Sequence, residues 1–219
     1  MFKKSIFALS TLFLLNSCAV KQISLTENDW YTFTTKSTDK IAPSKGYEFS
    51  NGMVRMYGDV NGYLMTNKSY KNFELSLEFK WNMDENVAKA KGKKNSGVMY
   101  NIPVDSPDHI WPKGIQFQIK DDSTGDFIFL DSITAIVNGK FIEGGQSVNS
   151  FKFMANENPS GEWNTILIRS FNGKITQYLN GKIVNECTDT SAREGKISLN
   201  YEGSPIDFKN IQITNIRKK

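Results

Sequence analysis

Hydrogen-bonding side chains alternate with apolar ones over residues 115–120, and this segment offers the richest chemistry in the sequence. Gln116, Gln118 and Lys120 take the polar positions. Such alternation places side chains on one face of a β-strand. Side-chain amides carry both donors and acceptors, so this face suits the hydroxyl groups of a sugar. A solvated strand face without a ligand is the alternative that the pattern leaves open.

The proline-bounded segment 105–112 leads into that strand and carries two further candidates. His109 is the only histidine of the chain, and Trp111 follows it closely. Histidine is the side chain whose ordinary pKa lies nearest neutrality, which suits a proton carrier. An exposed indole beside a polar face is suited to stacking on a sugar ring. A plain surface histidine and a loop-anchoring tryptophan are the alternatives.

Carboxylates and one further amide complete the candidate site. Asp121 follows the strand directly, and Glu202 precedes Gly203 near the end of another predicted strand, where pairing with Arg169 is an alternative. Asn95 either binds a hydroxyl group or caps a turn that Gly97 permits. The predicted catalytic residues are His109, Asp121 and Glu202. The predicted substrate-binding residues are Asn95, Trp111, Gln116, Gln118 and Lys120. Standard glycosidases use two carboxylates that flank the bond, and the sequence offers no convincing pair.

Neither a cofactor nor a metal is predicted. Asp121, Asp122 and Asp126 are close enough in sequence to offer oxygen ligands to calcium, although Asp-rich turns are commoner. One histidine and Cys187 leave little for a zinc site.

Short alternating segments predict the elements that position these residues. Residues 73–81 alternate without a fault, and further strands are predicted over 163–169, 175–179, 196–201 and 208–216. Five Asn-Gly pairs, which suit the type I′ hairpin turn, begin at Asn51, Asn61, Asn138, Asn172 and Asn180. Residues 82–94 and 144–161 are predicted to be long connections. These features predict an all-β jelly-roll sandwich of two antiparallel sheets.

The N-terminus predicts export and lipid anchoring. Lys3 and Lys4 precede an apolar stretch over 6–15, which is typical of a secretory signal, and Cys18 lies where a lipoprotein signal carries its acylated cysteine. We therefore expect a signal peptide over 1–17, a lipidated tether over 18–28 and a single domain over 29–219, in a bacterial cell envelope. Loss of both lysines lowers the formal charge from +4 to +2. No nucleic-acid partner is expected, and the protein is predicted to be a monomer.

From Gly62 onward the chain resembles the 3-keto-disaccharide hydrolase domain family, which is abundant in Bacteroides-like bacteria. The matching pieces include residues 62–66, 70–75, 95–98, 114–118, 161–164, 195–199 and 208–211, all in the expected order. Four positions depart from the family pattern. Gln116 stands where glutamate is expected, Asn101 and Lys209 where arginine is common, and Asn200 where glutamine is usual.

The resemblance implies a concanavalin-like jelly roll and hydrolysis of glycosidic bonds in 3-keto-glycosides. A ketone acidifies the neighbouring C2 hydrogen, so a base could start elimination of the aglycone, and water could then add back. This route needs a base, an acid for the leaving oxygen and donors for an enolate oxygen. The departure at Gln116 favours an alternative, a non-catalytic carbohydrate-binding lipoprotein that uses the same sheet face. A structural envelope protein without a ligand is the third interpretation.

Overall fold

The computed structural model describes residues 22–84, 86–87 and 94–217, with the backbone alone at 37–39, 41, 43 and 45. The predicted signal peptide, Cys18 and most of the loop over 82–94 lie outside the described residues. No described helix is long and apolar enough to cross a membrane.

Short strands make up nearly all the regular structure, with a 3₁₀ turn at Glu27–Asp29 and one helical turn, α1, at Pro43–Gly46. In chain order the strands are β1 (Gln22–Ser24), β2 (Trp30–Thr34), β3 (Ser37–Ile41), β4 (Glu48–Ser50), β5 (Met53–Met56), β6 (Gly62–Thr66), β7 (Tyr70–Lys71), β8 (Phe73–Trp81), β9 (Asn95–Ile102), β10 (Gly114–Lys120), β11 (Phe127–Leu130), β12 (Thr134–Val137), β13 (Lys140–Glu143), β14 (Val148–Ser150), β15 (Asn164–Phe171), β16 (Lys174–Leu179), β17 (Lys182–Cys187), β18 (Glu194–Tyr201) and β19 (Ile206–Asn215).

The described strands form two large antiparallel sheets and one small hairpin. The eight-stranded sheet has the order β17-β16-β15-β8-β19-β5-β4, with β1 paired to β19. The nine-stranded sheet has the order β14-β11-β10-β9-β18-β6-β2-β3, with β7 paired to β18. The hairpin of β12 and β13 is a separate two-stranded sheet, and backbone hydrogen bonds between Ile136 and Thr188 join it to the chain that follows β17. The predicted all-β jelly-roll sandwich of two antiparallel sheets is thus confirmed.

The core lies between the two large sheets. Along β8, buried residues alternate with half-buried ones over the whole strand, as the sequence predicts. Ile115, Phe117 and Ile119 of β10 face the same core from the other sheet and are fully buried. Because successive side chains point to opposite faces, Gln116 and Gln118 must lie on the outer face of the nine-stranded sheet, away from this core.

Four of the five Asn-Gly pairs adopt the predicted turn, with positive φ at both residues. The exception is Asn61-Gly62, where Gly62 begins β6 and is not in that conformation. A Cβ at Gly62 would lie 2.2 Å from the carbonyl oxygen of Phe33, so the glycine permits close approach of two backbones.

Two predicted boundaries change. The second half of the predicted tether joins the fold, because Gln22–Ser24 pairs with β19 and Leu25 donates a backbone hydrogen bond to Ile211. The predicted connection over 144–161 contains β14, which pairs with β11 and extends the nine-stranded sheet. This short strand carries mainly polar residues, so it lacks the alternation by which the longer strands were predicted.

Candidate functional site

Cross-strand register brings the polar residues of the nine-stranded sheet together. Ser198, Met99, Gln116, Ile128 and Asn149 stand side by side across β18, β9, β10, β11 and β14. Directly paired residues in a sheet project their side chains to the same face. The outer face therefore presents a row that is polar at both ends and at its centre.

A cleft of about 550 Å³ opens on this face. It is lined by Asn95, Trp111, Gln116, Gln118, Lys120, Ile128, Leu130, Gln146, Ser147, Asn149 and Glu202. All five residues predicted to bind substrate are among them, together with one of the three predicted proton carriers. Three further lining residues were not predicted, because they belong to β14 and its approach, and these are Gln146, Ser147 and Asn149.

A chain of side-chain hydrogen bonds runs along the cleft floor. Ser198 Oγ donates to Asn200 Oδ1 at 2.8 Å, and Asn200 Nδ2 donates to Gln116 Oε1 at 3.1 Å. Gln116 Nε2 then donates to Gln118 Oε1. Gln118 Nε2 donates to Asn95 Oδ1 at 3.4 Å, and Asn95 Nδ2 donates to Glu202 Oε2 at 2.5 Å. We call this series the amide chain.

The direction of the amide chain follows from its last member. An ionised carboxylate only accepts hydrogen bonds, so Asn95 must turn its NH₂ group toward Glu202. Its carbonyl oxygen then faces Gln118 and needs a donor there. Gln118 therefore turns its NH₂ group toward Asn95 and its carbonyl oxygen toward Gln116, and Gln116 and Asn200 are oriented in the same way. All the hydrogen bonds of the amide chain are thus donated in the direction of Glu202. Hydrogen bonds in such a series polarise one another, which strengthens the donation to the carboxylate.

Gly97 makes room for this arrangement. It pairs with Asn200 on one side and Gln118 on the other, and a Cβ there would lie 2.5 Å from Cδ of Gln116. Its φ is not among the positive values, so turn geometry does not explain it. The expectation that Gly97 permits a turn is therefore wrong, because this glycine leaves space for the Gln116 side chain inside β9.

Glu202 is the carboxylate of the cleft. Burial raises its pKa above the ordinary glutamate value, while a hydrogen bond from Trp111 and the charge of Lys120 oppose the shift. Its Oε1 atom is buried and has no partner of normal hydrogen-bond geometry in the described part of the chain. A cleft-lining carboxylate with a raised pKa is suited to taking up and releasing a proton.

Trp111 is exposed to 48% of its surface and lines the cleft, as predicted for an aromatic platform. It belongs to the loop over residues 103–113 that joins β9 to β10. Three residues before it, Asp108 accepts hydrogen bonds from Tyr31 and Tyr63. The role of this carboxylate was not predicted, because its partners lie on β2 and β6, far away along the chain.

The structure does not bring His109 and Asp121 to Glu202. His109 is exposed and does not line the cleft. Asp121 lines a separate hollow of about 450 Å³ with Glu157, and its Oδ2 accepts a hydrogen bond from the Lys94 backbone at 3.1 Å. His109 lies in a loop and Asp121 directly follows β10. The positions of both side chains depend on neighbouring residues that the alternating pattern does not reveal.

Two other sequence alternatives also find different partners. Arg169 pairs with Glu74 at 3.2 Å on the eight-stranded sheet, so it does not pair with Glu202 on the other sheet. Asp126 is buried and accepts a hydrogen bond from the backbone of Lys152 at 2.9 Å. Within the described ranges, no group of three or more histidine, cysteine or acidic residues is arranged to hold a metal ion.

A jelly-roll sandwich with an amide-lined cleft on the outer face of one sheet is thus the class of protein that the fold and site define. Residues 24–214 match the model of the 3-keto-alpha-glucoside-1,2-lyase-like domain, and the chain belongs to this family. No curated protein is significantly similar to it in sequence.

Solved structures share the fold. A proposed glycosyl hydrolase from Parabacteroides distasonis is 21% identical, with a TM-score of 0.61 over 87% of this chain and 89% of that one. A carbohydrate-binding module from Bacillus subtilis is 12% identical, with a TM-score of 0.54 over 85% and 96%. A β-glucanase from Bacillus licheniformis is 14% identical, with a TM-score of 0.52 over 85% and 92%.

Proposed function

We propose that this protein cleaves the glycosidic bond of 3-keto-glycosides by elimination, with Glu202 as the proton carrier. The observation that carries the proposal is the position of the Glu202 carboxylate, which lines the cleft at the end of the amide chain and has a pKa raised by burial. Membership of the 3-keto-alpha-glucoside-1,2-lyase-like family supports the substrate class. A sugar substrate also agrees with the names of proteins that share the fold, which include a proposed glycosyl hydrolase, a carbohydrate-binding module and a β-glucanase.

One carboxylate suffices for this reaction. Glu202 takes the hydrogen at C2, which the neighbouring ketone acidifies, and the electron pair moves into an enolate. The enolate re-forms the ketone as the bond from C1 to the aglycone oxygen breaks. That oxygen lies on the face of an α-glycoside opposite the C2 hydrogen, so it takes a proton from water and leaves as an alcohol. The sugar becomes a 1,2-unsaturated ketone, and Glu202 returns its own proton to water. A raised pKa suits Glu202 to accept the C2 proton.

The amide chain supplies the donors that an enolate oxygen requires. Each NH₂ group carries two hydrogens, and in the chain Gln116 and Gln118 each commit one of them. Both side chains line the cleft, so their second N–H groups are available to a ligand oxygen. Trp111 supports the sugar ring from the side, and Asn95 holds the carboxylate in place.

The test uses soluble protein that starts after Cys18, with an aryl 3-keto-α-glucoside and the matching unoxidised glucoside. We expect release of the aglycone from the keto compound alone. We also expect exchange of its C2 hydrogen with deuterated water, which NMR detects. Cleavage of the unoxidised glucoside at the same rate, or cleavage without any involvement of the C2 hydrogen, would contradict the elimination.

A second candidate function is carbohydrate binding without turnover. The exposed face of Trp111 beside cleft-lining amides favours it, because those contacts suffice to hold a sugar. Isothermal titration of the same compounds separates the two functions. Binding of both glucosides with no product from either one would support the binding protein.

We further propose that the protein is exported and anchored in the cell envelope by a lipid at Cys18. The signal-like residues 1–17 support this, and the fold begins close behind, with β1 at Gln22. In a bacterial host, Cys18→Ser should move the protein from the membrane fraction to the soluble fraction. Equal membrane association of both forms would contradict the anchor.

A further inference from the structure

Asp108 holds the loop over residues 103–113 to the sheet, in addition to the hydrogen bond from Trp111 to Glu202. Asp108 Oδ1 accepts a hydrogen bond from the Tyr63 hydroxyl at 2.6 Å and another from the Tyr31 hydroxyl at 2.7 Å. Tyr31 lies on β2 and Tyr63 on β6, both in the nine-stranded sheet. We call these three residues the Asp108 clasp. None of these three residues lines the cleft. Asp108 is linked to Trp111 because both belong to the loop over residues 103–113.

Charges around the clasp favour an ionised Asp108. Lys40 of β3 lies 3.6 Å from Oδ2, and Lys196 of β18 also faces the carboxylate. Both ammonium groups lie over the Tyr31 ring, at 4.3 and 5.1 Å from its centre. Burial opposes ionisation, but hydrogen bonds from Tyr63 and Tyr31 and the charges of Lys40 and Lys196 lower the pKa of Asp108 below the ordinary aspartate value.

The two tyrosines act as donors throughout the working pH range. Burial and the neighbouring carboxylate raise the pKa values of Tyr31 and Tyr63 well above the ordinary tyrosine value. Both rings also belong to an apolar cluster on the outer face of the sheet, with Phe33 stacked on Tyr63 at 5.0 Å. Asp108 therefore accepts hydrogen bonds from two hydroxyl groups whose aromatic rings are held in place by packing.

We propose that Asp108 is a positioning residue that fixes the loop over 103–113 so that Trp111 stands at the cleft beside Glu202. An exposed tryptophan on a free loop would have to be ordered by each ligand that binds, and the clasp removes that cost in advance. The effect on sugar affinity rests on the proposed function. The position of Trp111 does not, and it is measurable without any ligand.

The test labels the protein with 5-fluorotryptophan, which gives one fluorine NMR signal for each of the four tryptophans. The variant Trp111→Phe assigns the signal of Trp111. We expect Asp108→Ala to shift or broaden the Trp111 signal and to leave the signals of the buried Trp30 and Trp81 in place. Asp105→Ala is the matched control, because Asp105 is exposed in the same loop.

Ligand binding gives the second readout. Loss of an ordered aromatic contact should raise the Kd or KM for the keto-glucoside by about 2- to 12-fold, with kcat little changed. If Asp108→Ala folds poorly, Tyr63→Phe removes one donor and keeps the ring. Low pH should also release the loop, because protonation of Asp108 weakens the clasp. The stabilisation by ionised Asp108 is complete above the pKa of the unfolded state, and it is lost as pH falls through the lower pKa of the folded state.

The outcomes are distinct. An unchanged Trp111 signal in Asp108→Ala, together with a lower melting temperature, means that Asp108 only stabilises the fold, and the proposal is then wrong. A changed signal in a protein that neither binds nor cleaves the keto-glucoside overturns the proposed function and leaves the positioning role standing. A changed signal with weaker binding supports both.

Discussion

Replacement of Glu202 by glutamine separates its chemistry from its place in the structure. The new side chain would keep the shape of the old one, and its carbonyl oxygen would still accept the hydrogen bond from Asn95, which spans 2.5 Å in the native protein. The amide chain would therefore stay intact. What disappears is a group able to carry a proton. General acid–base catalysis contributes about 10²- to 10⁴-fold, so we expect kcat to fall by that factor, or by about 2.7–5.5 kcal/mol in activation free energy.

Stability should change in the opposite direction. Burial raises the folded-state pKa of Glu202 above that of the unfolded chain. The folded state therefore binds the proton more tightly, and the stability linked to this group is present at low pH and lost as pH rises through the folded pKa. At neutral pH the buried carboxylate destabilises the fold. Glu202→Gln should keep or raise the melting temperature at pH 7, and the gain should vanish at pH 4.

The assay combines aglycone release from the keto-glucoside, titration calorimetry of the same ligand and thermal unfolding at pH 4 and 7. His109→Ala and Asp121→Asn are the matched controls, because both residues lie outside the cleft. We expect them to retain turnover. The reasoning is refuted if Glu202→Gln cleaves the substrate at the native rate, or if it loses ligand binding and stability together, since either result would give Glu202 a structural role alone.

Three further substitutions test other parts of the structure. Gly97→Ala places a Cβ 2.5 Å from Cδ of Gln116, so it should lower the free energy of unfolding in urea by about 1–3 kcal/mol and weaken ligand binding. Trp111→Ala should raise the Kd for the sugar by about 2- to 12-fold in calorimetry and leave the melting temperature nearly unchanged, because the side chain is half exposed. Asp207→Ala removes a buried acceptor 3.1 Å from Arg55 Nε, so urea unfolding should show a loss of about 1–3 kcal/mol, while turnover stays at the native level.

Alternation was sufficient to predict the longest strands and the face on which the candidate site lies. Residues 114–120 alternate strictly, so the sequence alone places Gln116 and Gln118 opposite Ile115 and Phe117. Period-two patterning fixes which face a side chain occupies, and it also put Lys120 on the correct side. The fold class followed from the same signal, repeated along the chain with turn residues between the strands.

Contacts between distant strands could not be predicted in this way. The role of Gly97 depends on Gln116 and Asn200, which reach it only through the register of β9 with β10 and β18. Asp108 likewise meets Tyr31 and Tyr63 because β2 and β6 lie side by side in the sheet. His109 illustrates the opposite error. Its residue type suggested chemistry, but the loop is fastened through the preceding residue and leaves the imidazole in solvent.

Gln116 allows the amide chain on the cleft floor to stay hydrogen-bonded when Glu202 gains or loses a proton. With Glu202 ionised, every amide donates toward it. Once Glu202 holds a proton, its hydroxyl group can donate to Asn95, and each amide can turn over, with the Ser198 hydroxyl accepting at the far end. An ionised glutamate at position 116 only accepts hydrogen bonds, so it could not donate to Gln118. It would therefore hold part of the amide chain in one hydrogen-bond direction. An amide at that position keeps both protonation states of Glu202 paired, which is what a single carboxylate requires when it must first take a proton and then give it back.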